Sequence, residues 1–190
     1  MSEFWLYFKL GLEHVLDWNA YDHVLFLVAL SAPYGTREWK RLLLLVTLFT
    51  LGHSISLLIT NYGWLSVSSD WIEFLIPVSI LLAAIYPLTQ LDRTEKRIGV
   101  IYGVTLFFGL IHGFGFGRYF VQINDEQAFM PLVEFALGIE TAQLIVVLIV
   151  LIVSGLFKSL FKLTQRDWII FISGAVVALS IPMLVENWIF

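Results

Sequence analysis

The sequence contains no cysteine, and few of its residues are charged. Of its 190 residues, 14% are charged and 59% are hydrophobic, and the mean hydropathy is +0.86. The absence of cysteine excludes disulfides, thiolate zinc sites and a cysteine nucleophile. A soluble domain carries about 25% charged and roughly 45–50% apolar residues. This chain could not cover itself with polar surface in water, so we expect it to lie in a lipid bilayer.

Basic charge and targeting signals are also scarce. The net charge is −4, which argues against a nucleic-acid partner. The N-terminus lacks the basic region and the small-residue cleavage site of a signal peptide, so we treat it as mature protein. We recognise no linker, low-complexity tract or internal repeat. We therefore expect a single transmembrane domain over residues 1–190.

Long apolar runs are the dominant pattern. A spanning helix needs about 20 residues, and five runs reach that length, at 41–61, 71–90, 98–118, 130–157 and 168–188. The segments 4–18 and 20–33 are shorter. They are either an interfacial helix followed by a spanning helix or, as we favour, two short helices that meet in a tight turn inside the membrane. The sequence predicts an all-α, polytopic transmembrane bundle of six to seven helices.

Lysine and arginine alternate between the predicted connections. Three of them lie in each of the connections near 34–41, 91–97 and 158–167, whereas the connections between have one or none and the C-terminal end has none. Basic loops stay in the cytoplasm. We therefore expect a multi-pass protein of the bacterial inner membrane with a periplasmic C-terminus. If 4–18 spans, the N-terminus is cytoplasmic.

This topology brings all four histidines into the periplasmic half of the membrane. His14 and His23 lie near the junction of the first two segments, and His53 and His112 come late in helices that rise from the cytoplasm. Ionisable side chains at this depth cost about 2.5–3.5 kcal/mol and so face the bundle interior. Imidazole and carboxylate are good ligands for zinc or nickel. The predicted metal ligands are His14, Asp22, His23, His53 and His112.

Further polar residues surround this predicted site. We expect Asp17, Ser54, Glu134, Glu140 and Gln143 to support the ligands or to line a path from them. Ser54 and its neighbour Thr50 could orient the ring of His53. The inner halves of most helices are almost wholly apolar, which counts against a continuous path for a cation.

Most of these predicted site residues also have a simpler structural explanation. Asp22 could cap a helix N-terminus, His14 could lie at the membrane interface, and His53 and His112 could bond neighbouring helices. Glu134 could pair with the positive end of a helix dipole. All of these explanations would have to be correct at once for the polar residues not to form a metal site, so we favour a metal site.

Gly109, Gly113 and Gly117 recur every four residues around His112. Small residues at this spacing let two membrane helices approach closely. The sequence therefore predicts that His112 lies where two helix backbones are closest.

Four stretches in order resemble the HupE/UreJ family of bacterial membrane proteins. They are EHVLDWNAYDHVLFLVAL (13–30), FTLGHS (49–54), GLIHGFGFG (109–117) and FALGIETAQ (135–143). More residues separate His14 from Asp22 than in the better-studied members, and the His-Gly element lacks their second histidine. These features resemble a divergent, Bacteroidetes-like branch in which Asp17 and Tyr21 are part of the pattern.

The resemblance implies a helical membrane protein of six or seven spans that carries nickel or cobalt. It maps the family's elements onto His14, Asp22 and His23, onto His112 and Gly113, and onto Glu140. Three functions remain open: a permease for a divalent metal, an intramembrane zinc-dependent hydrolase with a periplasm-facing site, and an accessory subunit of a membrane complex. The expected partners are the lipid bilayer and a metal ion, together with a second copy of the chain or a membrane-complex partner.

Overall fold

The computed structural model describes residues 3–18, 20–91, 98–124 and 127–189. These residues form seven α-helices and one short 3₁₀ turn, without any strand in the described part. The helices are α1 (Glu3–Leu16), α2 (Asp22–Ser31), α3 (Trp39–Asn61), α4 (Ser69–Thr89), α5 (Ile98–Ile123), α6 (Met130–Phe161) and α7 (Gln165–Glu186). The predicted all-α helical bundle is confirmed.

Five of these helices, α3 to α7, are long and apolar enough to cross a membrane. They correspond to the five predicted runs. The largest difference at a helix end is at α5, which continues to Ile123. Helix α6 also extends beyond its predicted end, to Phe161, and Lys162 then takes a left-handed conformation at φ 52°. Thr164 then caps α7 by accepting a hydrogen bond from the Asp167 amide. The chain is a multi-pass membrane protein.

The bundle has two ends, which we name by their polar contacts. At the asparagine end, where α3 and α5 finish, the Asn124 amide donates a hydrogen bond to the Asn61 side-chain oxygen at 3.0 Å. At the lysine end, Lys158 donates to the Gln165 side chain at 2.6 Å, and Gln165 donates to the Ala32 carbonyl at 2.8 Å. The last turn of α2 therefore lies beside the start of α7.

The short helices α1 and α2 follow one another along α5 from the asparagine end toward the lysine end. Four ring contacts mark this course: Tyr7 with Phe120 at 6.2 Å, His14 with Phe116 at 4.0 Å, His23 with His112 at 5.1 Å and Phe26 with Phe108 at 5.7 Å. At 1.5 Å per residue, α1 and α2 measure only about 21 Å and 15 Å, against a hydrocarbon core of about 30 Å. Together they make one crossing that is broken between Leu16 and Asp22.

This course bears on the expectation of a cytoplasmic N-terminus, which depends on segment 4–18 spanning alone. Segment 4–18 does not cross the bundle by itself, so its first residues lie at the asparagine end rather than beside the basic connections. The end of α7 lies there too, because the ring of Trp188 contacts Phe74 near the start of α4 at 5.8 Å. Among the described residues, the broken crossing and the five long helices together provide six candidate crossings.

Glycine allows α3 and α5 to pack with their backbones in contact. A Cβ atom on Gly109 would collide with the carbonyl oxygen of Phe49, and one on Gly113 would collide with the His53 backbone and the Ser56 hydroxyl. The predicted close approach around His112 is confirmed, and its partner is the helix that carries His53.

Candidate metal centre

Four helices each contribute one histidine to a single cluster near the middle of the bundle. His14 lies on α1, His23 at the start of α2, His53 on α3 and His112 on α5. The ring centroids of His23 lie 4.6 Å from His14, 5.9 Å from His53 and 5.1 Å from His112, and those of His14 and His53 lie 5.5 Å apart. His23, His53 and His112 are buried, and His14 is half-buried. The structure thus brings together all four histidines that the sequence singled out.

Asp22 fixes the orientation of His23. One carboxylate oxygen of Asp22 accepts a hydrogen bond from the His23 backbone N–H at 2.8 Å and lies 3.0 Å from its Nδ1. Because a carboxylate accepts, Nδ1 carries the hydrogen and a neutral His23 ring presents the lone pair of Nε2. The Asp22 carboxylate, which the sequence predicted as a metal ligand, thus supports His23, and the N-cap of α2 is Tyr21 rather than Asp22.

A backbone carbonyl fixes His112 in the same way. Its Nδ1 lies 2.9 Å from the carbonyl oxygen of Phe108, one turn earlier on α5. A carbonyl only accepts, so Nδ1 donates and Nε2 is left as the ligand atom.

Several imidazole nitrogens are buried without a hydrogen-bond partner within the described chain. They are Nε2 of His14, His23 and His112 and both ring nitrogens of His53. Buried polar atoms are nearly always satisfied, so this concentration in one cluster is chemically unusual. Imidazole nitrogen is a preferred ligand of zinc, nickel and copper. The donor set fits a divalent first-row metal.

The spacing of the nitrogens is close to that of a metal site. One ligand atom from each of His14, His23 and His53 lies within 4.8 Å of the other two. Two nitrogens that bind one zinc at about 2.0–2.1 Å are separated by at most about 4.2 Å. A small inward movement of the rings would complete a three-histidine site, with His112 beside His23.

Asp22→Asn tests the support that the carboxylate gives to His23. The amide oxygen can still accept from the backbone, but the negative charge that makes the imidazole a stronger donor is lost. We expect metal affinity to fall by about 10–100-fold, the usual effect of removing such a support. Calorimetric titration with nickel and zinc measures it, and Asp70→Asn, at an exposed position in the first turn of α4, is the control. Equal affinities in the two variants would contradict this role.

A cavity of about 620 Å³ borders the cluster at His14. The cavity lies between α1 and the last turns of α5, where Phe116 and Tyr119 form its wall. Asp17, just after α1, also lines this cavity and is exposed. The structure therefore places Asp17 at this cavity rather than among the rings.

The other predicted residues lie outside the group of histidines. Ser54 donates to the Thr50 carbonyl of its own helix at 2.8 Å, and so it does not orient His53. Glu134 is half-buried, and its Oε2 is unpartnered as far as the described residues go. Glu140 and Gln143 belong to a second polar group.

This second group connects α3 to α6. Thr47 donates to one carboxylate oxygen of Glu140 at 2.7 Å, and Thr50 makes a short hydrogen bond to the other. The Thr50 hydroxyl also lies 3.0 Å from the Gln143 side-chain oxygen. The predictions from the sequence do not include this connection. The i, i+3 spacing of Thr47, Thr50 and His53 on one face of α3 is the signal that would have found it.

Comparison with known proteins agrees with these features. A protein-family model described as HupE / UreJ protein matches residues 1–189. The chain belongs to the HupE/UreJ family. The match extends the resemblance beyond Gln143 to α7, where the sequence analysis had found no motif. No curated protein and no solved structure shows significant similarity to this HupE/UreJ protein.

Proposed function

We propose that this HupE/UreJ protein is an inner-membrane permease for a divalent first-row cation of the nickel or cobalt type. The observation that carries the proposal is the cluster of buried imidazoles with unpartnered nitrogens beside a cavity. His14, His23, His53 and His112 would bind the cation, and Asp22 would hold His23 in the ligating tautomer. Nickel and cobalt enter here through the family resemblance, and zinc fits the same donors.

The polar group on α3 and α6 supports transport, because it continues from the histidines toward the inner halves of the helices, which the sequence alone indicated to be almost wholly apolar. Thr50 lies one turn from His53 on the side of the lysine end, and it contacts Glu140 and Gln143. A cation that leaves the histidines would therefore meet oxygen ligands next. Beyond Gln143, the buried residues Val147 and Val150 close the path in this conformation.

The charges support movement from the periplasm to the cytoplasm. The connections at the asparagine end, 62–68 and 124–129, contain no lysine or arginine, whereas those near 34–41 and 158–167 at the lysine end contain three each. Basic connections stay in the cytoplasm. The asparagine end, with its cavity at His14, would be periplasmic.

Glu140→Gln separates passage of the cation from binding. The amide retains an oxygen for the threonine hydroxyls but loses the charge that would receive a cation. We expect uptake of radioactive nickel or cobalt into proteoliposomes to slow at least about tenfold while affinity at the histidines stays within about threefold, the pattern of an interaction used only in passage. Glu73→Gln, at an exposed position on α4, is the control. Uptake at the wild-type rate would exclude Glu140 from the path, and absence of uptake by the wild type would contradict the permease.

A zinc-dependent hydrolase acting on lipid is the second candidate, because of one apolar groove. The groove measures about 490 Å³ and is lined by Phe26 and Phe108 together with residues of α4. The ring of Phe26 also contacts His112 at 5.7 Å. Three histidines can hold zinc and leave a position for an activated water. Release of fatty acid from reconstituted lipid by the zinc-loaded protein would favour this candidate over transport.

A further inference from the structure

Three short motifs occur twice in the chain and in the same order. They are G-L-x-H at 11–14 and 109–112, F-x-L-G at 49–52 and 135–138, and D-W-I-x-F at 70–74 and 167–171. The first set lies on α1, α3 and α4, and the second lies on α5, α6 and α7. Composition and hydropathy alone predict no repeat, because the motifs are short and their spacing differs between the halves. The finding corrects that expectation.

The repeated motifs make the same contacts. Glycines of α1 and α6 pack against each other as those of α5 and α3 do, and a Cβ atom on any of the four would collide with a carbonyl oxygen of the facing helix. The glycines and the carbonyls that they face are Gly11 with Phe135, Gly109 with Phe49, Gly138 with Phe8 and Gly52 with Leu106. The contact of Gly11 with Phe135 uses the same motif positions as that of Gly109 with Phe49. The contact of Gly138 with Phe8 likewise corresponds to that of Gly52 with Leu106. The helix pair α1·α6 is therefore equivalent to α5·α3.

The two halves run in opposite directions through the membrane. The D-W-I-x-F motif begins α4 at the asparagine end and begins α7 at the lysine end. The broken crossing of α1 and α2 corresponds to the continuous helix α5. Such inverted repeats are related by a two-fold axis in the membrane plane, and transporters that use them bind their substrate near the midplane beside a broken helix. The histidine cluster lies at such a place.

The histidines lie between the two glycine-packed helix pairs. The pair α1·α6 contributes His14, the pair α3·α5 contributes His53 and His112, and His23 lies on α2, outside both pairs. Backbones in direct contact cannot shift past one another without collision, so each pair moves as a unit. A movement that changes access to the site must therefore occur between the pairs.

The contact between the pairs is asymmetric. Toward the lysine end, Thr47 and Thr50 of α3 donate hydrogen bonds to Glu140 of α6. The F-x-L-G repeat makes Val133 the equivalent of Thr47 and Ser54 the equivalent of Glu140. The valine side chain has no polar atom, and the Ser54 hydroxyl donates to its own helix. The hydrogen bond of Thr47 to Glu140 therefore has no counterpart toward the asparagine end.

We propose that the helix pairs α1·α6 and α3·α5 move against each other as two rigid bodies, and that the hydrogen bonds of Thr47 and Thr50 to Glu140 hold the lysine-end half closed. The conformation described here is then the one in which the histidines are reached from the asparagine end. Passage of the cation to the lysine-end side of the membrane requires these bonds to break and the asparagine-end half to close. This inference rests on the proposed permease function and assigns its gate.

Accessibility of single thiols in vesicles tests the gate, because the chain has no cysteine of its own. Val150→Cys reports on the lysine-end half, and Tyr119→Cys reports on the cavity beside His14. Each is combined with Thr50→Val, which removes the hydroxyl but keeps the side-chain shape. A charged maleimide that does not cross membranes is applied to both sides. Thr105→Val is the control, because the Thr105 hydroxyl only donates to the Ile101 carbonyl of its own helix at 2.7 Å.

We expect Thr50→Val to raise labelling of Val150→Cys about tenfold and to lower labelling of Tyr119→Cys, as a shift between two states requires. A rise at both positions would show general loosening and would overturn the gate, as would no change at either. If Val150→Cys does not fold, Ser154→Cys at the lysine-end cavity replaces it. Nickel binding is measured on the same samples. Binding without reciprocal labelling rejects the gate alone, whereas a wild type that binds no nickel rejects the permease.

Discussion

Gly109→Ala is expected to prevent assembly of the bundle or to leave it severely destabilised. The added Cβ atom would collide with the Phe49 carbonyl oxygen and approach the backbone nitrogen of His53 at 3.1 Å. Neither atom can turn away, because both belong to the backbone of α3. Overpacking usually costs about 1–3 kcal/mol, and we expect at least the upper value where two backbones must separate. The measurement is the yield of monodisperse protein in mild detergent together with its thermal unfolding.

Gly103→Ala provides a matched control on the same helix. A Cβ atom on Gly103 would meet nothing within 4 Å. Alanine is favoured over glycine in a helix by up to about 1 kcal/mol, so this variant should be at least as stable as the wild type. Similar behaviour of the two variants would show that the close approach of α3 and α5 is not needed for folding.

His23→Ala is expected to reduce metal affinity by at least about 100-fold, more than loss of a supporting residue does. The ring of His23 contacts the rings of all three other histidines. Ligand stabilisation is about 2.7 kcal/mol when the metal is present at 100 times its Kd. We therefore expect excess nickel to raise the thermal unfolding temperature of the wild type and to leave that of the variant unchanged.

Ser31→Ala is the control for His23→Ala, because it also removes a buried polar atom from α2. Its unfolding temperature should respond to nickel as that of the wild type does. A full response in His23→Ala would show that the metal binds elsewhere, and a lost response in both variants would indicate damage to α2 rather than to the site.

The long helices could be predicted from hydropathy, but the course of α1 and α2 could not. Apolar runs of about 20 residues have few alternatives to spanning helices, so α3 to α7 followed directly. The segments 4–18 and 20–33 are each too short to span, and only contacts such as those of Tyr7 and His23 with α5 show that they share one crossing. Composition carries no information on whether two short helices turn back or continue.

The histidine cluster could be predicted because the membrane restricts where polar groups lie. Alternation of basic connections put His53 and His112 at one depth, and the cost of exposing them to lipid directed them inward. The bonds of Thr47 and Thr50 to Glu140 could not be anticipated in the same way. They depend on the register between α3 and α6, which no property of a single helix reports.

The most direct test of the metal centre is the metal content of protein purified in mild detergent without chelator, compared with the His53→Ala, His112→Ala double variant. Nickel or zinc at close to one ion per chain in the wild type, and its loss in a double variant that remains monodisperse, is the result expected here. A wild type that retains no metal after loading with either ion would contradict the metal centre, and the histidines would then have a structural role.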